Sequence, residues 1–305
     1  MKAAAAGRVI GVVTGFGLAI GMATAQAACP PAGWDVAALM QLRIARFDLP
    51  DPARRAALAE GLVDCLDHPD PRLRDEIAFD ALSTWLRAGA LAPAQLPALR
   101  DALLARLRGD DPSGFGRPFA ALTLAELARV DRLRPWLDAP GRAAMLAAAV
   151  AYQRGVVDYR GFDAVQGWRH GVAHGADWLL QLALNPAIDR DGLAQILSAV
   201  ASQVAPPGAP PYVHGESERL ARPVFYAARR GLLDAEFWNA WLAASTRPAP
   251  LPDWPGALRS SDGLARLHNI RAFVQTLYVM VHEGGDAALI GRLQPALQAA
   301  MNALP

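Results

Sequence analysis

Residues 158–186 read DYRGFDAVQGWRHGVAHGADWLLQLALNP, and the second half of that stretch decides how the chain is built. Its apolar positions recur at helical spacing. Asn185-Pro186 closes the run, because a residue that precedes proline is pushed out of the helical region. At about 100° per residue, His170, His174, Asp177 and Gln181 share a sector of roughly 60°. Trp168, Val172, Ala176, Leu179 and Ala183 take the opposite sector. The spacing predicts a central amphipathic helix, its apolar side against a core and a narrow His/Asp/Gln stripe facing water. The preceding residues, 158–166, read as an irregular loop.

Outward from this helix the signals are helical and strand signals are almost absent. Asp51-Pro52 and Asp70-Pro71 each supply an N-cap aspartate followed by a proline at the first helical position. They open helices that run to about residue 66 and to Gly89, where a glycine C-cap fits. Periodic segments also cover 34–47, 93–108, 119–130, 141–154, 191–204, 217–230, 262–281 and 286–301, and Asp234 caps another that holds Phe237, Trp238 and Trp241. Pro223 should kink or locally open its helix. About a dozen helices joined by short connections predict an all-α fold of stacked antiparallel hairpins, a HEAT-like α-solenoid. An α/α toroid or an irregular bundle is the alternative. The rigid PPGAPP break at 206–211 marks a possible subdivision of a single helical-repeat domain spanning 28–305.

Composition bounds the function. With 305 residues and 53% hydrophobic content the chain can bury a full core. Residues 1–27 combine Lys2 and Arg8 with an uncharged apolar run and the small-residue ends Ala23-Thr24-Ala25 or Ala25-Gln26-Ala27, which predicts a cleaved signal peptide and a periplasmic or secreted protein without a stable membrane anchor. Cleavage leaves 28 basic against 29 acidic residues, a net charge of −1, with no cationic cluster for nucleic acid. Lys2 is the only lysine, so a mature chain has no lysine for Schiff-base, phosphate-loop or Ser-Lys chemistry. In an exported chain Cys29 and Cys65 predict one disulfide, worth about 3 to 4 kcal/mol on the chain-entropy view.

Several stretches resemble the bacterial family catalogued as domain of unknown function 2785. They are LRDEIAFDAL at 73–82, SGFGRPFAALTLAEL at 113–127, DYRGFDAVQGWRHGVAHGAD at 158–177, ERLARPVFYAARRGLLDAEFW at 218–238 and NIRAFVQTLYVMV at 269–281. The Trp-x-His-x-x-x-His-x-x-Asp segment is the most specific. A secretory signal and a cysteine pair depart from the family pattern. The resemblance implies an all-helical fold with the central segment as a recurring feature, and implies no activity.

The chemistry then rests on the residues. His170 and His174, four apart on a helix, can aim two imidazoles at one point, with Asp177 as a third ligand or as acceptor for a ring N–H, the pattern of a helical zinc site. Loop residues such as Asp158, Asp163, His214, Glu216 and Glu218 could complete it. No HExxH, Gly-x-Ser-x-Gly, CxxC or phosphate loop is present. In the plainer reading the polar side chains bond one another and fix the loop, with Arg160 pairing to Asp158, Asp163 or Asp177. The sequence thus gives two functional expectations. One is a helical-repeat protein that binds a protein or small-molecule ligand through Asp158, Arg160, Trp168, His170, His174, Asp177 and Gln181. The other is a zinc-dependent hydrolase using His170, His174 and Asp177.

Overall fold

The computed structural model describes Met1 and residues 29–305. The expected signal segment therefore lies outside the described residues. Helices follow in the order α1 Val36–Ile44, α2 Pro52–Cys65, α3 Pro71–Leu73, α4 Asp80–Ala88, α5 Leu96–Arg108, α6 Gly116–Leu133 and α7 Ala139–Arg154. A two-stranded hairpin comes next, β1 Phe162–Asp163 with β2 Gly167–Trp168. The chain continues with α8 Gly171–Ala183, α9 Arg190–Val204, α10 Glu216–Arg229, α11 Ala235–Ser245, α12 Trp254–Ala257, α13 Ser261–Gly284 and α14 Ala287–Asn302. The class is all-α.

The helix starts follow from their caps. Asp51 accepts from the Ala53 and Arg54 amides, Asp70 from Arg72, Asp234 from Phe237 and Asp286 from Leu289, so first-turn N–H groups that lack a helical acceptor are satisfied by side chains. Gly89 ends α4 at φ 67°, a left-handed position that glycine takes without Cβ strain. The helix expected from 71 to 88 is not uniform: residues Arg74–Phe79 form a π-helical segment between α3 and α4. Pro223 sits inside α10, which runs unbroken from Glu216 to Arg229.

Packing joins helices two or three apart in the chain. One row runs α4, α6, α8, α10, α13; beside it α7, α9, α11 and α14 form a second row, with α2 packed on α5 and α5 on α6. Consecutive helices close the layers as α7 with α8, α9 with α10 and α13 with α14. Helix α8 lies in the middle of the first row, between α6 and α10. Its fit against α7 is close: a Cβ on Gly175 would run into the Gln153 amide oxygen and the Tyr152 ring.

That central position corrects the expected orientation of α8. With neighbours on three sides the helix buries the first half of the expected stripe: Gly171 through Ala176 are all buried, and Asp177 and Gln181 are half-buried. His170 precedes the helix as its N-cap, and Trp168 belongs to β2, so neither continues the helical pattern in which the spacing placed it. At the other end of α8 Asn185 donates to Asp131 at 2.9 Å, and Asp131 also accepts from the Trp136 and Leu137 amides and from Arg142. Arg230 donates to the carbonyls of Ala183, Asn185 and Ile188. The disulfide Cys29–Cys65 bridges 36 positions and ties the first described loop to the end of α2.

Candidate functional site

The segment 158–170 is a short hairpin rather than an irregular loop. Phe162 pairs with Trp168 and Asp163 with Gly167, and the ladder extends through Arg169 N–H to Gly161 O and His170 N–H to Arg160 O. Asp163 shapes the turn by accepting from the Val165 and Gln166 amides at 2.8 and 2.7 Å, and these bonds hold its carboxyl below the ordinary value. Gly167 closes the turn at φ 75°.

Two arginines fasten this hairpin to the body. Arg74, fully buried, stacks 3.8 Å from the Phe115 ring centre and donates to Gln166 O at 2.6 Å and to His68 O at 3.0 Å. Arg169 lies 4.2 Å from the same ring and donates to Ser113 O and to the Gln166 side chain. A guanidinium can both stack on an aromatic face and saturate several acceptors, which is how a buried arginine is tolerated. Arg160 pairs with Asp158, its Nε at 2.8 Å from Oδ1. Burial alone would raise the Asp158 carboxyl, but the Arg160 side chain and amide bring it below its ordinary value.

Above this anchorage the aromatic side chains form a continuous line. Phe162 packs 5.0 Å from Trp168, Trp168 stacks on His170 at 4.8 Å and 28°, His170 meets His174 at 5.7 Å, and His174 lies edge-on to Phe119 at 5.2 Å. His214 stands edge-on to Trp168 at 5.8 Å, its ring against the bare backbone of Gly161. Its backbone N–H donates to Glu216 at 2.9 Å, and its Nδ1 lies 3.6 Å from the same carboxylate. The outer end of the line is open, with Phe162 53% and Trp168 38% exposed. The inner end is closed, with His170 8% and His174 5% exposed.

His170 is the unusual member. It enters α8 at φ 57°, a left-handed conformation that costs a side-chain-bearing residue about 1 to 2 kcal/mol. Its Nε2 is buried and has no hydrogen-bond partner among the described residues. Burial lowers its pKa, with Glu216 pulling the other way. His174 Nδ1 lies 3.2 Å from Pro118 O; a carbonyl only accepts, so this imidazole carries its proton on Nδ1 and donates there. Burial drives its pKa well below the ordinary value, and His170 and Arg219 add to the effect. Both rings are therefore neutral near pH 7.

The remaining expected residues are occupied elsewhere. Asp177 is in an ion pair with Arg219; burial raises its carboxyl and the guanidinium opposes that rise. Gln181 accepts from Arg132 at 3.3 Å. Glu218 pairs with Arg222 one turn along α10. Asp177 is thus engaged by Arg219, and among the described residues no group of three or more His, Cys, Asp or Glu side chains is placed to hold a metal ion.

The family model described as protein of unknown function (DUF2785) matches residues 103–279, more than half of the chain. The chain belongs to that family. No curated protein and no solved structure matches it. The DUF2785 span contains the hairpin, α8 and His214, but begins after Arg74 and the disulfide.

Phe162, Arg169 and Phe119 escaped the helix-based reading of this site within the DUF2785 span. For Phe162 a signal existed: Phe162 and Trp168 flank Asp163 and Gly167, turn-forming residues between two aromatics, which is a hairpin pattern. For Phe119 no local signal exists, because its partner His174 lies 55 positions away in the sequence.

Proposed function

We propose that this protein is an exported binding protein that takes a ligand or partner on the aromatic ledge of Phe162, Trp168 and His214, with His170, His174 and Asp177 as its buried support. The scaffold is a stack of helical hairpins forming one domain over 28–305. The alternation of two helix rows, and the packing of α10 on both α8 and α9 across the 206–211 break, support that scaffold. The Cys29–Cys65 bridge supports export, since disulfides persist outside the reducing cytosol.

His170 carries the ligand-binding reading. It is strained, it is buried with an unsatisfied ring nitrogen, and it stacks directly on a partly exposed tryptophan. The strain and the orphaned nitrogen each cost about 1 to 3 kcal/mol, and their coincidence beside the partly exposed Trp168 ring supports a position kept for binding. A flat apolar group stacked on Trp168 is the ligand such a ledge accepts, with a hydrogen bond to an imidazole fixing its orientation. Beyond the ledge, no described helix is long and apolar enough to cross a membrane.

The test is a screen of aromatic fragments by thermal shift and ligand-observed NMR on the wild type and on Trp168→Ala. Fragments should stabilise the wild type and lose at least about tenfold in affinity on the variant. Hits that bind both equally would refute the ledge. Export is checked separately by sequencing the N-terminus of periplasmic protein, which should begin at residue 26 or 28.

A further inference from the structure

A second site lies between α5 and α7, and none of Phe162, Trp168 or His214 lines it. Helices α5 and α7 are each held by neighbours, α5 by α2 and α6, α7 by α8 and α9, but they are not close-packed on each other. The row opens there into a cavity of about 620 Å³, within the range of small-molecule sites, about 300 to 1,000 Å³. Its walls are apolar: Leu104 and Leu107 from α5, Ala148, Ala151 and Tyr152 from α7, and Val156 beyond it. Tyr152 donates to Gly171 O at 3.2 Å, and burial raises its pKa, so the phenol stays neutral.

The mouth carries charge, and the charges are not equivalent. Asp111 is consumed as a cap, accepting from the amides of Gly114, Gly116 and Arg117 at 3.0 to 3.1 Å. Asp158 is held by Arg160. Arg117 turns its guanidinium to Gly109 O at 2.8 Å. Arg108, exposed in the last turn of α5, has no hydrogen bond or ion pair among the described residues. One uncommitted guanidinium at the rim of an apolar cavity is complementary to one anion on an apolar body. A planar fork of donors matches a carboxylate in two-point contact.

We infer that the cavity between α5 and α7 binds a small amphiphilic monocarboxylate, its apolar body against Leu104, Leu107 and Ala151 and its carboxylate on Arg108. The assignment is independent of what the Trp168 ledge binds. Titration calorimetry with decanoate, and with decylamine as the oppositely charged probe of equal length, tests it on the whole mature chain. Decanoate should saturate one site and bind at least about tenfold tighter than decylamine. Ala151→Trp, at an exposed position of the wall, should abolish decanoate binding while circular dichroism stays unchanged. Arg108→Glu, at the surface and safe for folding, should reverse the preference towards decylamine. Trp168→Ala should bind decanoate as the wild type does.

The inference is overturned by the absence of saturable decanoate binding, by equal affinity for the two probes, or by an Arg108→Glu variant with unchanged preference. Decanoate binding that survives in a folded Ala151→Trp variant, or that disappears in Trp168→Ala, would also overturn it, the last by placing the ligand on the ledge instead.

Discussion

The two ends of α8 solve the same problem in opposite ways. At the C-terminal end a dense set of bonds closes the helix: Asp131 takes the Asn185 amide, two backbone N–H groups and Arg142, and Arg230 covers the terminal carbonyls. At the N-terminal end His170 is held at φ 57° with a buried nitrogen that bonds to nothing among the described residues. A satisfied node stabilises and an unsatisfied one does not. The contrast fits the first as architecture and the second as the support of the proposed binding ledge.

The largest test of that contrast is Asp131→Ala. Removing this carboxylate strands Arg142, Asn185 and the Trp136 and Leu137 amides in a buried setting, and stability should fall by about 3 to 5 kcal/mol in urea denaturation. Gly175→Ala comes next. The new methyl group must displace Gln153 or Tyr152 where α7 crosses α8, at a cost of about 1 to 3 kcal/mol by the same measurement.

The pH dependence of stability separates the ends by window. Burial raises Asp131, but its bonds to Arg142 and the backbone lower it further, so its net shift is downward from 3.8. Its stabilisation is complete above that value and lost only as pH falls below it. His174 is also depressed, from 6.5, and is a base: below pH 6.5 the unfolded chain takes up a proton that the folded ring refuses, so stability falls as pH drops from about 6.5. The slope from one such group is at most about 1.4 kcal/mol per pH unit. His170 adds to it in the same direction. His174→Gln, which keeps a donor for Pro118 O, should reduce the slope between pH 6.5 and 5 in thermal melts. An unchanged slope would mean that the ring is protonated in the folded protein.

The smallest expected effect is the sharpest test. His170→Asn keeps a residue tolerant of a left-handed backbone and should change stability by less than about 1 kcal/mol. If instead it costs as much as Asp131→Ala, the N-terminal end of α8 is a structural node like the other, and the ledge loses its support.

How much of this was legible in the sequence depends on range. The Asp-Pro starts at 51–52 and 70–71, the Asp234 cap and the Gly89 stop are local chemistry, and they hold. The class followed from helical periodicity, which here was strong and nearly uninterrupted by strand patterns. The orientation of α8 did not follow. Counting 100° steps from Trp168 assumed that residues 168–170 were already helical, whereas Gly171 begins the helix and His170 turns left-handed. Equally, a His/Asp stripe looks solvent-facing until α6 and α10 are seen to pack against it, and Arg219, which takes Asp177, comes from 42 positions away. The cavity between α5 and α7 was invisible for the same reason. It is a gap between helices, and only their relative placement creates it.

Arg74 has a practical consequence for anyone who would excise the family-matched region. The span shared with the family begins at residue 103, yet the guanidinium that grips the hairpin at Gln166 and caps the Phe115 ring comes from outside it, 92 positions upstream of Gln166. A fragment cut at the family boundary would leave the hairpin without one of its two fasteners. The recognisable module does not carry all of the contacts that hold its own hairpin.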